Sequence, residues 1–144
     1  MIPVHPFTTL ALATLGALYG WACGTPQDAR RRWPSGPYDC SGHAQAVLVM
    51  AGILPADAPD RNALALANIC DPVDRADLEI LDLVFYGEGI THVAVYVGGG
   101  MVNTMSGGGS QTHGDDPNAC SQARPIDYRK DRKVCGRIKT EHRA

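Results

Sequence analysis

The hydrophobic positions change their spacing about halfway along the chain. The first apolar positions recur at helical intervals, at Leu10, Ala13, Ala17 and Leu18. This spacing predicts a helix over about residues 7–19. An apolar, alanine-rich stretch over residues 41–51 predicts a buried helix that begins at or just after Cys40 and stops at Gly52. The glycine and proline content of residues 24–37 indicates a loop between the two helices.

The second half of the chain has the composition and alternation of strands. Four short runs rich in β-branched and aromatic residues predict strands at residues 82–86, 92–97, 101–105 and 133–139. Residues 63–70 predict a further short helix, and residues 106–125 predict a long polar loop. Helices followed by an antiparallel meander are typical of the α+β class. We therefore expect an α+β fold with N-terminal helices packed on a central antiparallel sheet.

Length and charge narrow the range of functions. A chain of 144 residues predicts a single domain over residues 1–144. The net charge of −2 gives no general attraction to nucleic acid or to an anionic membrane, so we expect neither as a partner.

The first 24 residues lack a positively charged start and carry bulky Trp21 where a signal peptidase requires small residues. We therefore expect no signal peptide, and the apolar run is too short and broken to span a bilayer.

The cysteines do not form a recognisable metal motif. The chain has five of them, at Cys23, Cys40, Cys70, Cys120 and Cys135. The odd number leaves at least one without an intramolecular partner, and no C-x-x-C pair exists. The spacing along the chain does not favour a zinc site formed by His113, Cys120 and Cys135. We expect no metal and no cofactor.

Cys40 is the candidate nucleophile. It stands at the predicted start of a helix, where the helix dipole and free backbone N–H groups favour the thiolate and lower a thiol pKa. The same N–H groups can bind a developing oxyanion. Ser41 and Gly42 are small and leave room for a substrate backbone. The local sequence supports a buried structural cysteine equally well.

A nucleophilic cysteine requires a base, and His92 is the best placed of the five histidines. It opens the strand 92–97, where its ring can project into a cleft while alternate valines enter the core. His43 lies three residues after Cys40 on the same predicted helix, and we assign it no catalytic role. The alternative for His92 is a strand-end histidine that only hydrogen-bonds a neighbour.

These segments resemble the NlpC-type family of papain-like cysteine peptidases, which cut bacterial cell-wall peptides. The matching strings are LGALYGW (15–21), YDCSGHAQAVLVMAGI (38–53), PVDRADLEILDLVFYG (72–87), THVAVYVGGG (91–100) and GRI (136–138). They occur in the family's order and cover most of residues 8–138. The resemblance implies a papain-like fold with Cys40 as nucleophile and His92 as base. It also implies Tyr19 near the oxyanion, and Asp39 and Ser41 as contacts for the amine end of the peptide.

The third catalytic residue, which orients the histidine ring, is where the chain departs from this family. The family commonly has a second histidine twelve residues after the first, and that position holds Thr104. If Gly98 and Gly99 form a two-residue turn, Asn103 lies on the His92 face of the sheet. A three-residue loop puts Thr104 there and turns Asn103 toward the valine face, where a buried amide is costly. We therefore predict Asn103 as the orienting residue.

The resemblance implies a cysteine endopeptidase that hydrolyses peptidoglycan stem peptides, at a D-γ-glutamyl bond to diaminopimelate or lysine. Two alternatives stay open on the same fold: a non-catalytic module with a structural or wall-binding role, and an amidase or acyltransferase. Since we expect no signal peptide, we also expect a phage-borne murein hydrolase, either a free lysin or one attached to a phage tail, that reaches the wall by lysis or in the virion.

Overall fold

The computed structural model describes residues 5–144, so the first four residues of the segment considered for a secretion signal lie outside the described residues. The helices are α1 (Thr8–Leu12), α2 (Ala29–Arg32), α3 (Cys40–Met50) and α4 (Ala63–Ala67). The strands are β1 (Cys70–Pro72), β2 (Leu83–Tyr86), β3 (His92–Gly98), β4 (Met101–Ser106), β5 (Cys120–Pro125) and β6 (Lys133–Ile138). Within the described range, no helix has the length and apolar character needed to cross a bilayer.

The strands form one antiparallel sheet in the order β1-β6-β2-β3-β4-β5. Strands β2, β3 and β4 follow one another as a meander, and β6 returns to pair with β2 on its other side. Helix α3 packs against β3 and β4. This arrangement is the predicted α+β fold, with helices on a central antiparallel sheet.

The two faces of the sheet have separate apolar cores. Alternate residues of β2 and β3 pack under α3, and they include Leu83, Phe85, Val93 and Val95. The intervening residues face the other way, into a smaller cluster of Val84, Tyr86, Ala94, Val102 and Ile126. Because successive side chains of a strand point to opposite faces, a shift of one residue in the β3–β4 register moves a side chain from one core to the other.

Four of the predicted elements have different boundaries in the structure. Helix α1 ends at Leu12 rather than near residue 19, because residues 18–20 form isolated bridges with Cys120, Tyr38 and His113. The predicted loop 24–37 contains the short helix α2. The predicted helix 63–70 ends as β1 begins at Cys70, and the predicted loop 106–125 ends in β5. In the three cases other than α2, pairing with a distant segment overrides the local pattern.

Candidate functional site

Cys40 is the first residue of α3, as the sequence predicts. The Asp39 side chain caps the helix by accepting a hydrogen bond from the Gly42 N–H at 2.6 Å, and the Ser41 hydroxyl also donates to it at 3.3 Å. The backbone N–H groups of Cys40 and Ser41 have no oxygen acceptor among residues 5–144 and instead lie close to the Cys40 sulfur. Two donors without an oxygen partner therefore lie beside the thiol, as expected for the first turn of a helix.

Gly42 has a packing role rather than the one predicted for it. A Cβ atom at this position would collide with the backbone carbonyl oxygens of Cys23 and Gly24. The preceding segment also binds here, because the Asp39 N–H donates to the Cys23 carbonyl at 2.9 Å. The space that we expected to admit a substrate backbone is therefore filled by the chain itself.

The thiol of Cys40 has a raised pKa, so the predicted lowering is wrong. Burial is the largest cause, and the neighbouring Asp39 carboxylate acts in the same direction. The backbone N–H groups of Val93 and Ser41 lower the pKa but do not outweigh burial. Burial of Cys40 therefore favours the neutral thiol.

His92 begins β3 and pairs with Tyr86 of β2. Its Nε2 lies 2.7 Å from the Thr104 hydroxyl and 3.1 Å from the Tyr128 hydroxyl. Its Nδ1 has no hydrogen-bond partner within residues 5–144 and is not fully buried, so it keeps a free lone pair or N–H with some access to solvent. Burial, then the charge of Arg129, lowers the His92 pKa to about 4, so the ring is neutral near pH 7.

Cys40 lies near the start of β3, the strand that His92 opens. The Val93 N–H, one residue along the strand from His92, acts directly on the Cys40 thiol. Among the hydrogen bonds of residues 5–144, none joins the thiol to the imidazole. Proton exchange between the two side chains therefore requires one of them to move toward the other.

The prediction that Asn103 orients His92 is wrong, because the β3–β4 register differs from the one we expected. Asn103 pairs with Val95, and the register shifts between Tyr96 and Gly98. The tight turn is thus Gly99-Gly100, with a bulge before it, rather than Gly98-Gly99. This register sends Asn103 to the valine face and puts Thr104 on the face of His92.

The buried amide of Asn103 is not left without partners. Its Nδ2 donates to the Ala11 carbonyl at 3.0 Å and to the Thr14 hydroxyl at 2.9 Å. The Ser121 hydroxyl donates to its Oδ1. The cost that we expected for this register is therefore offset by hydrogen bonds from segments distant in sequence.

Tyr19 lies beside the thiol with a free hydroxyl. Burial is the main cause that raises the Tyr19 pKa to about 12, and electrostatic repulsion from Cys40, when ionised, and from Asp39 adds to it. The hydroxyl has no partner among the described residues and is not fully buried, so it can donate to a bound group. The backbone of Gly108 lies flat against the Tyr19 ring, where any side chain would clash, and so holds the ring in place.

Tyr128 is the site residue that the sequence analysis missed. It lies 36 residues after His92 in a basic segment that has the composition of an exposed surface. Only the turn that follows β5 brings it to the imidazole, and no local spacing indicates this. Within residues 5–144, no group of three or more His, Cys, Asp or Glu side chains could hold a metal ion.

The α+β fold, with a cysteine at the start of the central helix and a histidine at the start of a facing strand, is that of the papain-like cysteine peptidases. The NlpC/P60 family profile matches residues 16–123, three quarters of the chain. The protein therefore belongs to the NlpC/P60 family.

Individual relatives agree with this assignment. The probable endopeptidase p60 of Listeria monocytogenes is 35% identical over 98 residues, which cover 65% of this chain and 17% of that protein. The chain spans only about a fifth or less of the length of the curated relatives that it matches.

Two solved structures share the fold. The P60 domain of an antigen from M. avium paratuberculosis has a TM-score of 0.66 at 22% identity, over 91% of this chain and 89% of that one. RipD from Mycobacterium tuberculosis is described as a non-catalytic NlpC/p60 domain protein adapted to peptidoglycan binding. It has a TM-score of 0.58 at 20% identity, over 94% of this chain and all of that one.

Proposed function

We propose that this chain is a cysteine endopeptidase that hydrolyses amide bonds in peptidoglycan stem peptides, at a D-γ-glutamyl bond to diaminopimelate or lysine. The main support is that Cys40 lies beside two backbone N–H groups without an oxygen acceptor among residues 5–144, next to the strand end that carries His92. The Listeria relative described as a probable endopeptidase supports the same reaction class.

In this proposal His92 is the general base. Its Nδ1 takes the thiol proton as the Cys40 sulfur attacks the amide carbonyl carbon, and the oxygen becomes an oxyanion. The C–N bond then breaks, His92 returns the proton to the leaving amine, and a thioester remains. Water attacks the thioester with its proton taken by His92, and the proton finally returns to the sulfur as the acid leaves.

The proton moves during the attack rather than before it. Burial raises the Cys40 pKa and lowers the His92 pKa, so both shifts favour the neutral thiol and the neutral imidazole before substrate binds. The developing oxyanion is stabilised by the Cys40 and Ser41 N–H groups and by the Tyr19 hydroxyl.

Asp39 is proposed to bind the free amine of the peptide. Its Oδ1 accepts the helix-capping bonds from Gly42 and Ser41. Its Oδ2 makes no hydrogen bond within the described part of the chain and is not fully buried, so a carboxylate oxygen remains available. The Ser41 hydroxyl holds the carboxylate in position and is itself buried.

Digestion of purified murein tests the proposal. Wild-type protein is expected to release muropeptides with a new amino terminus and one added water, and mass spectrometry identifies the bond. Cys40→Ala is expected to release none, while Cys120→Ala serves as the control for loss of a thiol elsewhere. Equal release by wild type and Cys40→Ala would contradict the proposal.

A second candidate is a non-catalytic wall-peptide-binding module. It is favoured by the Thr104 hydroxyl, which stands where the family commonly has a second histidine, and by the likeness to RipD. Retention on murein without any new amino terminus would support it. Products that contain an added acceptor in place of water would instead indicate an acyltransferase.

A further inference from the structure

We propose that Tyr128 is a second positioning residue for His92, and that Thr104 and Tyr128 together replace the single orienting side chain. This inference rests on the proposed function. The hydroxyls of Thr104 and Tyr128 lie 2.7 Å and 3.1 Å from the same nitrogen, His92 Nε2. They also lie 3.1 Å from each other, so the three polar atoms form a closed triangle.

The Tyr128 hydroxyl is held in this position by the fold. Tyr128 ends a short 3-10 turn, Ile126–Tyr128, that directly follows β5. The buried Tyr86 hydroxyl donates to the Ile126 carbonyl of that turn at 2.9 Å. The Tyr86 ring also packs edge-on against Tyr128 at 5.5 Å and against His92 at 5.7 Å. One aromatic side chain thus fixes both members of the contact.

The tautomer that catalysis requires of His92 defines the role of the Thr104 and Tyr128 hydroxyls. For His92 Nδ1 to accept the thiol proton, Nε2 must carry the hydrogen of the neutral ring. The Nε2–H then donates to the two hydroxyl oxygens, and one hydroxyl donates to the other. Each hydroxyl can act as acceptor for Nε2–H when the other is absent, which makes the two residues partly redundant.

The two hydroxyls hold the ring without adding a charge. The charged side chains that act on His92 are Arg129, which lowers its pKa, and Asp131, which raises it. His43, on the helix face of the sheet, is neutral near pH 7 because burial lowers its pKa to about 4, so it adds no charge next to His92. Orientation and electrostatics are therefore supplied by different residues, so removing a hydroxyl is expected to change the tautomer more than the charge.

The test compares Thr104→Val, Tyr128→Phe and the double variant, all of which conserve side-chain volume. Tyr96→Phe is the matched control, because its hydroxyl accepts from the Gly100 N–H at the other end of β3. The ¹⁵N shifts of the His92 ring at pH 7, assigned by comparison with His92→Gln, report which nitrogen carries hydrogen. The kcat for murein cleavage is measured on the same proteins.

Each single variant is expected to keep the Nε2–H tautomer and to lose about 2–10-fold in kcat, the size of one hydrogen bond. The double variant is expected to show a mixture of tautomers and to lose more than the product of the single effects, roughly 100-fold or more. Thr104→Ser with Tyr128→Phe is expected to restore the tautomer, since one hydroxyl is retained.

A double variant that equals Thr104→Val in both kcat and tautomer would overturn the role of Tyr128. The ¹⁵N shifts report the His92 tautomer even if the protein has no peptidase activity. A failure of the proposed function can therefore be distinguished from a failure of the proposed role of Tyr128. Melting curves establish that each variant is folded, and Thr104→Ala with Tyr128→Phe, which also lacks both hydroxyls, replaces the double variant if the valine substitution unfolds it.

Discussion

Two histidines on opposite faces of the sheet make the same short contact and yet differ in what they can do. His43 Nε2 lies 2.7 Å from the Thr14 hydroxyl, and His92 Nε2 lies 2.7 Å from the Thr104 hydroxyl. Burial lowers the pKa of each ring to about 4. Burial is the largest cause for both rings, and both nitrogens contact a threonine hydroxyl, so neither the partner nor the protonation state distinguishes them.

The difference lies at the other nitrogen. His43 is 0% exposed, and its Nδ1 is buried without any hydrogen-bond partner among the described residues. The Nδ1 of His92 also has no partner there, but it is not fully buried, and the next residue, Val93, contacts the Cys40 thiol through its N–H. A ring that is enclosed on both sides can only stabilise the fold, whereas an open nitrogen can exchange a proton with a substrate or a thiol.

Replacing each histidine in turn is expected to give the largest difference between the two sites in activity and in stability. His92→Ala is expected to lower kcat for murein cleavage by about 1,000-fold, the size of a general-base contribution, with a small change in the free energy of unfolding. His43→Gln is expected to lower the free energy of unfolding and to change kcat by less than about 10-fold. Kinetics and urea melts on both variants measure the contrast, and a larger kcat loss in His43→Gln would reverse the assignment.

The decrease in the free energy of unfolding at acid pH is expected to come in part from protonation of His43. Its folded pKa lies below the unfolded value of 6.5, so the unfolded chain binds the proton more readily and stability rises with pH. The contribution of His43 to the free energy of unfolding is therefore fully present above pH 6.5. It is lost as the pH falls toward 4, which lowers the free energy of unfolding by up to about 3 kcal/mol.

Urea melts between pH 4 and pH 7.5 measure this slope, with His43→Gln as the comparison. The variant is expected to have a shallower dependence, and the slope that remains is assigned to His92, whose pKa is lowered in the same direction. An identical slope in the two proteins would show that His43 titrates normally.

The smallest effect is expected from Asn103, the residue that shares its neighbours with His43. Asn103→Ala removes bonds to Thr14, Ala11 and Ser121 inside the core and is expected to cost about 2 kcal/mol of unfolding free energy. The His92 tautomer is expected to stay unchanged, because Asn103 faces away from it. A tautomer shift in this variant, read from the same ¹⁵N shifts, would place Asn103 back in the active-site network.

The start of α3 and the start of β3 were predictable because their signals are local. An apolar run that follows an Asp-Cys-Ser-Gly turn defines the helix start, and Asp39 then caps the helix. The alternating valines after His92 define the strand. Both features depend on residues within a few positions of each other, so they can be read from one stretch of chain.

The β3–β4 register was not predictable, because three consecutive glycines allow more than one turn. All of Gly98, Gly99 and Gly100 have positive φ, which glycine adopts without strain, so the turn itself does not select a register. The choice is made by Ala11, Thr14 and Ser121, which supply partners for the Asn103 amide. These residues lie 18 to 92 positions away and carry no signal in the hairpin.

By itself the sequence determined the family, the α+β class and the positions of Cys40 and His92 at the starts of their elements. The tertiary structure alone decided that Thr104 and Tyr128 contact the imidazole, and that burial raises the pKa of Cys40. The physical reason is that hydrophobic periodicity and helix capping act over a few residues, whereas strand register and burial depend on which distant segments fill the space around a side chain.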